Sequence, residues 1–68
     1  MVVRFPEPDS AYLVVASLRQ RLDAVAVSGI YVVPGDDGPM LECGAEAWKH
    51  ELVQELVTLF DGTASDEA

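Results

Sequence analysis

Residues 27–43 read VSGIYVVPGDDGPMLEC, two apolar runs separated by a loop of proline, glycine and aspartate. Short runs of β-branched and aromatic residues on either side of such a loop predict a β-hairpin. We expect one strand over residues 27–33, a turn over residues 34–39 and a shorter returning strand over residues 40–43. This hairpin decides the fold, because the sequence on each side of it has the period of a helix rather than of a strand.

Helical patterns cover residues 10–23 before the hairpin and residues 45–60 after it. On the first helix, the apolar residues at helical spacing form one inward face: Ala11, Val14, Val15, Leu18, Leu22 and Val25. On the second helix, the corresponding stripe is Trp48, Leu52, Leu56 and Leu59, flanked by Val53 and Phe60. We expect Gly62 to end this helix, because glycine favours the left-handed conformation found just after many helices.

Residues 2–5, VVRF, predict a short first strand that stops at Pro6. The order is therefore β-α-β-β-α, an α+β fold. A right-handed crossover between parallel first and second strands leaves the third strand to pair between them. The result is a three-stranded sheet in the order 1-3-2 with two helices on one face. It is half-ferredoxin-like, because it lacks the last strand of the β-α-β-β-α-β pattern.

We expect a single domain over residues 1–62 and a short polar C-terminal tail over residues 63–68. If residues 2–5 do not form a strand, a helix, a hairpin and a second helix remain. A domain of this size buries only about 60% of the surface that its unfolded chain exposes, and small domains often need added stabilisation. Because Cys43 is the only cysteine and His50 the only histidine, an internal disulfide and a structural zinc site are both excluded. Self-association as a homodimer, or a tight partner, is the expected source of added stability, and a monomer with an idealised fold is the alternative.

The location of the protein is predicted from its N-terminus and its cysteine. The first residues do not resemble a signal peptide, and no apolar stretch approaches the roughly 20 residues of a membrane span. A single unpaired cysteine suits a reducing compartment. We therefore expect a cytoplasmic protein with no membrane contact.

Charge is the strongest functional signal, since twelve acidic residues against four Lys and Arg give a net charge of −8. This balance rules out most nucleic-acid binding, which needs clustered cations, so we expect no direct contact with nucleic acid. It favours a protein partner with a basic surface. The residues that we expect to contact this partner are Asp36, Asp37, Glu42, Glu51 and Glu55, with Trp48 beside the last two. An aromatic ring next to acids can hold an arginine by cation–π contact; the alternatives are a solvated acidic face and a core position for the tryptophan.

The strand over residues 27–33 is apolar on both faces, although a half-exposed antiparallel sheet normally alternates apolar and polar residues. Two helices cover only one face of the predicted sheet. We therefore expect Ile30, Tyr31 and Val32 to take part in self-association, because symmetric homodimers are the commonest oligomers. A different protein could cover this face instead, as could the twist of the sheet together with the chain ends.

Residues that could carry chemistry are few. Cys43 lies just before a helix, where a thiol can be activated, but a small buried apolar side chain is the simpler interpretation. His50 falls one turn after Glu46, but neither a nucleophile nor an oxyanion site is evident beside it. The acids of the turn lack the ligand spacing of an EF-hand. We expect no enzymatic activity, no metal and no cofactor.

Two hypotheses follow, and a third, a small enzyme or ligand-binding domain, has no support in the titratable residues. The first is a non-enzymatic acidic interaction module that inhibits or regulates a partner by binding its basic, nucleic-acid-binding surface. The second is a small homodimeric scaffold or regulatory subunit of a larger assembly, whose charge serves only solubility. One continuous acidic surface would favour the first hypothesis, and scattered acids the second.

Overall fold

The computed structural model describes residues 1–65, which form a four-stranded antiparallel sheet and four helices. The strands are β1 (Val2–Arg4), β2 (Ile30–Val33), β3 (Met40–Cys43) and β4 (Thr63–Ser65). The helices are α1 (Ser10–Arg21), α2 (Ala24–Val27), α3 (Ala45–Trp48) and α4 (Glu51–Leu59). The predicted α+β class is therefore confirmed.

The strands lie in the order β2-β3-β1-β4. The predicted order of the first three strands is confirmed, but the three-stranded sheet is corrected to four strands. Residues Thr63–Ser65, which we assigned to a polar tail, pair with β1, with Ala64 opposite Val3. Strand pairing uses backbone groups, so the polar composition of this segment did not prevent it. The last strand of the split β-α-β pattern is thus present; residues 66–68 of the predicted tail lie outside the described residues.

The predicted strand over residues 27–33 is too long, because residues Ala24–Val27 form α2 and β2 begins at Ile30. Asp23 explains the difference. Its carboxylate accepts a hydrogen bond of 2.9 Å from the backbone N–H of Ala26 and caps a new helical turn. Val25, which we placed on the inward face of the first helix, lies on this separate turn and is 83% exposed.

The predicted helix over residues 45–60 is interrupted at His50. The backbone of His50 is extended, and its Nδ1 accepts a hydrogen bond of 3.3 Å from the N–H of Leu52, which caps α4. The interruption changes which residues of α4 face inward. Its buried residues are Val53, Leu56 and Val57, whereas Leu59, predicted in the core, is 73% exposed.

The core lies between the helices and one face of the sheet. On the sheet, Leu41 is paired with Val3 on one side and with Val32 on the other, and Ile30 is paired with Cys43. Residues directly opposite in antiparallel strands share a face. These side chains pack with buried residues of α1 and α4 in one cluster: Ala11, Val14, Val15, Leu18, Val53, Leu56 and Val57.

The end of α4 differs from the prediction in one residue. Asp61, not Gly62, has the left-handed conformation, with φ of 59°. The N–H of Gly62 donates to the carbonyl of Val57, and the N–H of Asp61 donates to that of Thr58, which is the Schellman pattern. Glycine is needed at position 62 for space, because a Cβ there would lie 2.7 Å from Phe5 Cε1.

Candidate functional site

The outward face of α4 is an open, nearly flat acidic surface, referred to as the α4 groove, whose lining residues all come from this one helix. Five exposed residues line it: Glu51, Gln54, Glu55, Thr58 and Leu59. Glu51, Glu55 and Leu59 follow one another at intervals of four residues, which places them in a row on one face of a helix. Among residues 1–65, no lysine or arginine lines this groove. It therefore combines two carboxylates with the apolar side chain of Leu59, which is largely exposed to solvent.

Trp48, which we expected beside Glu51 and Glu55, does not line the α4 groove. It is half-buried on α3 and packs against the core. Its carbonyl accepts a hydrogen bond of 2.7 Å from Gln54 Nε2, which ties α3 to the start of α4. The contact of Trp48 with the core favours the structural role that the sequence also allowed.

The two hairpin acids, Asp36 and Asp37, are exposed in the loop between β2 and β3. Asp37 lines a small cleft together with Arg4 of β1, so a cation lies next to part of this loop. Gly38 allows the loop to close, since its φ is 123° and its N–H donates to the carbonyl of Gly35. The hairpin loop is thus separate from the α4 groove.

Glu42 lies on the open face of the sheet, the side away from the core. It is opposite Val2 on one side and Tyr31 on the other. The acids predicted to form one contact surface are therefore divided among the hairpin loop, the open face and α4. Scattered acids favour the scaffold hypothesis over the interaction module. This division therefore weakens the idea of one continuous acidic surface made of all five residues.

The three residues expected in self-association also separate. Ile30 is 4% exposed, and its side chain lies in the core. Val32 is half-buried and packs on the same side. Only Tyr31 projects from the open face, where it is 51% exposed. Both sides of β2 are apolar as expected, but Glu42 on β3 and Arg4 on β1 add charge to the open face.

Cys43 and His50 do not assemble a reactive centre. Cys43 is 1% exposed, and burial raises the pKa of its thiol to about 11, with a smaller raising effect from Glu42 and an opposing one from the N-terminus. A thiol with a raised pKa is a poor nucleophile near neutral pH. The Nδ1 atom of His50 accepts the capping hydrogen bond from Leu52, and Glu46 forms an ion pair of 3.5 Å with Lys49.

Within residues 1–65, no group of three or more His, Cys, Asp or Glu side chains is arranged to hold a metal ion. None of the helices described is long and apolar enough to cross a bilayer. Sequence reasoning identified Glu51 and Glu55 but missed the three other residues of the α4 groove. The signal was the spacing of Glu51, Glu55 and Leu59, which was hidden because a single helix through His50 placed Leu59 inside.

Comparisons with known proteins give no further assignment. No protein-family model matches the sequence, and neither the curated proteins nor the solved structures include a match to it.

Proposed function

We propose that this chain is a non-catalytic protein-interaction module whose α4 groove binds a basic segment of a partner protein. The observation that carries the proposal is the row of Glu51, Glu55 and Leu59 on one exposed helix face. Two carboxylates match lysine or arginine side chains, and Leu59 matches an apolar residue one turn away on the partner segment. The partner chemistry is that of the basic surfaces with which proteins bind nucleic acid.

The like charges of Glu51 and Glu55 support this proposal. Carboxylates four residues apart on a helix destabilise it by a few tenths of a kcal/mol, and a cation between them removes the repulsion. The negative charge of the whole chain increases the rate of encounter with a basic partner, and this effect weakens with salt. The partner would be inhibited or regulated because its own cationic surface is occupied. We include a cytoplasmic location in this proposal because the single cysteine is unpaired.

The experiment compares two variants with the same change in charge. The wild type, E51Q/E55Q and D36N/D37N are immobilised separately, and each is incubated with host lysate and washed at low and at high salt. We expect a protein with a basic surface on the wild type and on D36N/D37N at low salt. Its affinity for E51Q/E55Q should fall on the order of tenfold, because two exposed charge contacts contribute about 1–2 kcal/mol.

Equal losses for the two variants would assign binding to net charge rather than to the α4 groove, and so would contradict the proposal. Thermal unfolding of each variant checks that the fold is retained. A partner that resists high salt and both variants would favour the second candidate, a homodimeric scaffold or regulatory subunit whose acidity serves solubility. The observation that favours this candidate is the division of the acids among three separate places on the molecule.

A further inference from the structure

An aspartate is followed directly by a glycine at two places in the sequence, Asp37-Gly38 and Asp61-Gly62. In such a pair the backbone nitrogen of the glycine can attack the side-chain carboxyl of the aspartate, because glycine has no side chain to obstruct the approach. The chain contains no asparagine, which reacts in the same way. The two pairs share their covalent chemistry, and both aspartates are exposed. A difference in their reactivity must therefore come from the fold.

The pair at the end of α4 is held at both residues. Asp61 has the left-handed conformation, with φ of 59°, and the N–H of Gly62 donates to the carbonyl oxygen of Val57 at 2.8 Å. Core side chains enclose Gly62, since a Cβ there would lie 2.8 Å from Val3 Cγ1. Movement of the Gly62 nitrogen toward the carboxyl of Asp61 would therefore open the helix end and disturb close-packed neighbours.

The pair Asp37-Gly38 lies in the exposed loop between β2 and β3. The N–H of Gly38 closes a turn there by donating to the carbonyl oxygen of Gly35 at 3.3 Å, which is longer than most N–H···O bonds. In the part of the chain that the structure describes, a Cβ on Gly38 would meet only Pro8, at an ordinary 3.6 Å. The nitrogen of Gly38 can therefore move without any loss of core packing.

We infer that Asp37 is a site of spontaneous modification, its conversion to isoaspartate through a cyclic imide with Gly38, and that the fold protects Asp61 from the same reaction. A bond forms between the Gly38 nitrogen and Cγ of Asp37, and the hydroxyl of the protonated carboxyl leaves as water with the amide proton. Water then breaks the bond between this nitrogen and the main-chain carbonyl carbon of Asp37. One water is lost and one is gained without oxidation, so no other reactant is needed.

The backbone hydrogen bonds make the difference between the two pairs. The imide nitrogen carries no hydrogen, so each glycine must give up its hydrogen bond as it reacts. At Gly38 this removes one long bond of an exposed turn, which water can replace. At Gly62 it removes a short bond to one of the last carbonyl groups of α4. The fold thus slows the reaction at Asp61 and leaves it accessible at Asp37.

Isoaspartate at position 37 changes the backbone and leaves the charge as it was. The former main-chain carboxyl becomes the free carboxylate, so the net charge stays at −8. The main chain gains one carbon between Gly35 and Gly38, inside the turn that their hydrogen bond closes. The α4 groove lies on another part of the molecule, so this modification does not depend on the function proposed above.

Incubation of the folded protein for several weeks in mildly acidic water labelled with heavy oxygen tests the inference. Hydrolysis of the imide places a labelled oxygen on the aspartate, and mass spectrometry of proteolytic peptides locates it. A methyltransferase specific for isoaspartate identifies the product by adding a methyl group to its free carboxylate. We expect product at position 37 to form on the order of tenfold faster than at position 61, because a local opening must precede reaction there.

Unfolding supplies the matched control. In guanidinium chloride both pairs lose their hydrogen bonds, and we expect them to react at similar rates. Asp37→Glu keeps the charge but should abolish the product at position 37, because the larger ring that glutamate requires forms far more slowly. Asp61→Glu should leave the reaction at position 37 unchanged. Circular dichroism checks that both variants fold.

Equal amounts of isoaspartate at the two positions of the folded protein, or more at position 61, would overturn the inference. So would a folded protein without product at position 37 when the unfolded protein forms it there. A difference between the pairs that persists unchanged in guanidinium chloride would assign the selectivity to neighbouring residues in the sequence, and would overturn the role of the fold.

Discussion

The two faces of the sheet differ more than any other pair of surfaces in this protein, and β3 shows the difference within three residues. Leu41 and Cys43 face the helices and are 0% and 1% exposed, whereas Glu42 between them is exposed on the open face. One side of the strand thus supplies the buried apolar surface that stabilises a small domain. The other side is free of that requirement, so its residues can be selected for charge or for contact with another chain.

The largest expected effect is a difference in stability between substitutions at two adjacent positions, one on each face of β3. Leu41→Ala removes a fully buried side chain, and we expect it to lower the free energy of unfolding by about 2–5 kcal/mol. Glu42→Ala, on the opposite face, should change it by less than about 0.5 kcal/mol. Urea denaturation measures both. Similar losses for the two variants would mean that the open face is also covered in solution.

A second prediction tests how tightly the core side is packed near β1. A Cβ on Gly62 would lie 2.8 Å from Val3 Cγ1 and 2.9 Å from Val57 Cγ1. We expect Gly62→Ala to destabilise the fold by about 1–3 kcal/mol, because the packed side chains must shift. Gly44→Ala is the control, since its nearest neighbour beyond the adjacent residues is a carbonyl oxygen at an ordinary 3.7 Å. Equal thermal stability of the two variants would contradict this account.

A third prediction uses the thiol on the core side as a reporter. The pKa of Cys43 is raised from 9.0 to about 11 in the folded state, so the folded thiol keeps its proton at pH values where the unfolded thiol loses it. The stabilisation is therefore complete below pH 9 and is lost as pH rises from about 9 to about 11. Because each pKa unit corresponds to about 1.4 kcal/mol, we expect a loss of about 2–3 kcal/mol over this range.

Cys43→Ala supplies the control for that measurement, because it keeps every other titrating group and lacks the thiol. The difference in unfolding free energy between the wild type and this variant should shrink as the solution becomes more alkaline. A constant difference would show that Cys43 is as accessible as the residues of the open face.

The sequence predicted what depends on repeated apolar spacing and missed what depends on one polar side chain. The fold class, the order of the first three strands and the inward residues of α1 up to Leu18 follow from periodicity, and all are found. Asp23 and His50 each cap a new helical turn. The apolar pattern continues through both capping residues and so predicts uninterrupted elements. For this reason α2 and the division between α3 and α4 were not predicted.

Only part of the candidate site could be predicted from the sequence. Composition identified the acidic residues, and two of them line the α4 groove. Their distribution depends on the three-dimensional course of the chain, which places Glu42 and Glu55 on different layers. The fourth strand was missed because its pairing with β1 is made by backbone groups, which leave no mark on the side-chain pattern.

The central position of β1 also has a kinetic consequence. The hairpin of β2 and β3 closes a loop of only residues 34–39. Pairing of β1 instead requires Val2 to meet two residues far along the chain, Glu42 on one side and Ser65 on the other. Closing longer loops costs more conformational entropy before any contact compensates for it. The hairpin can therefore form from local contacts, while the sheet is completed only when these distant segments meet, and that meeting sets the pace at which the whole domain folds.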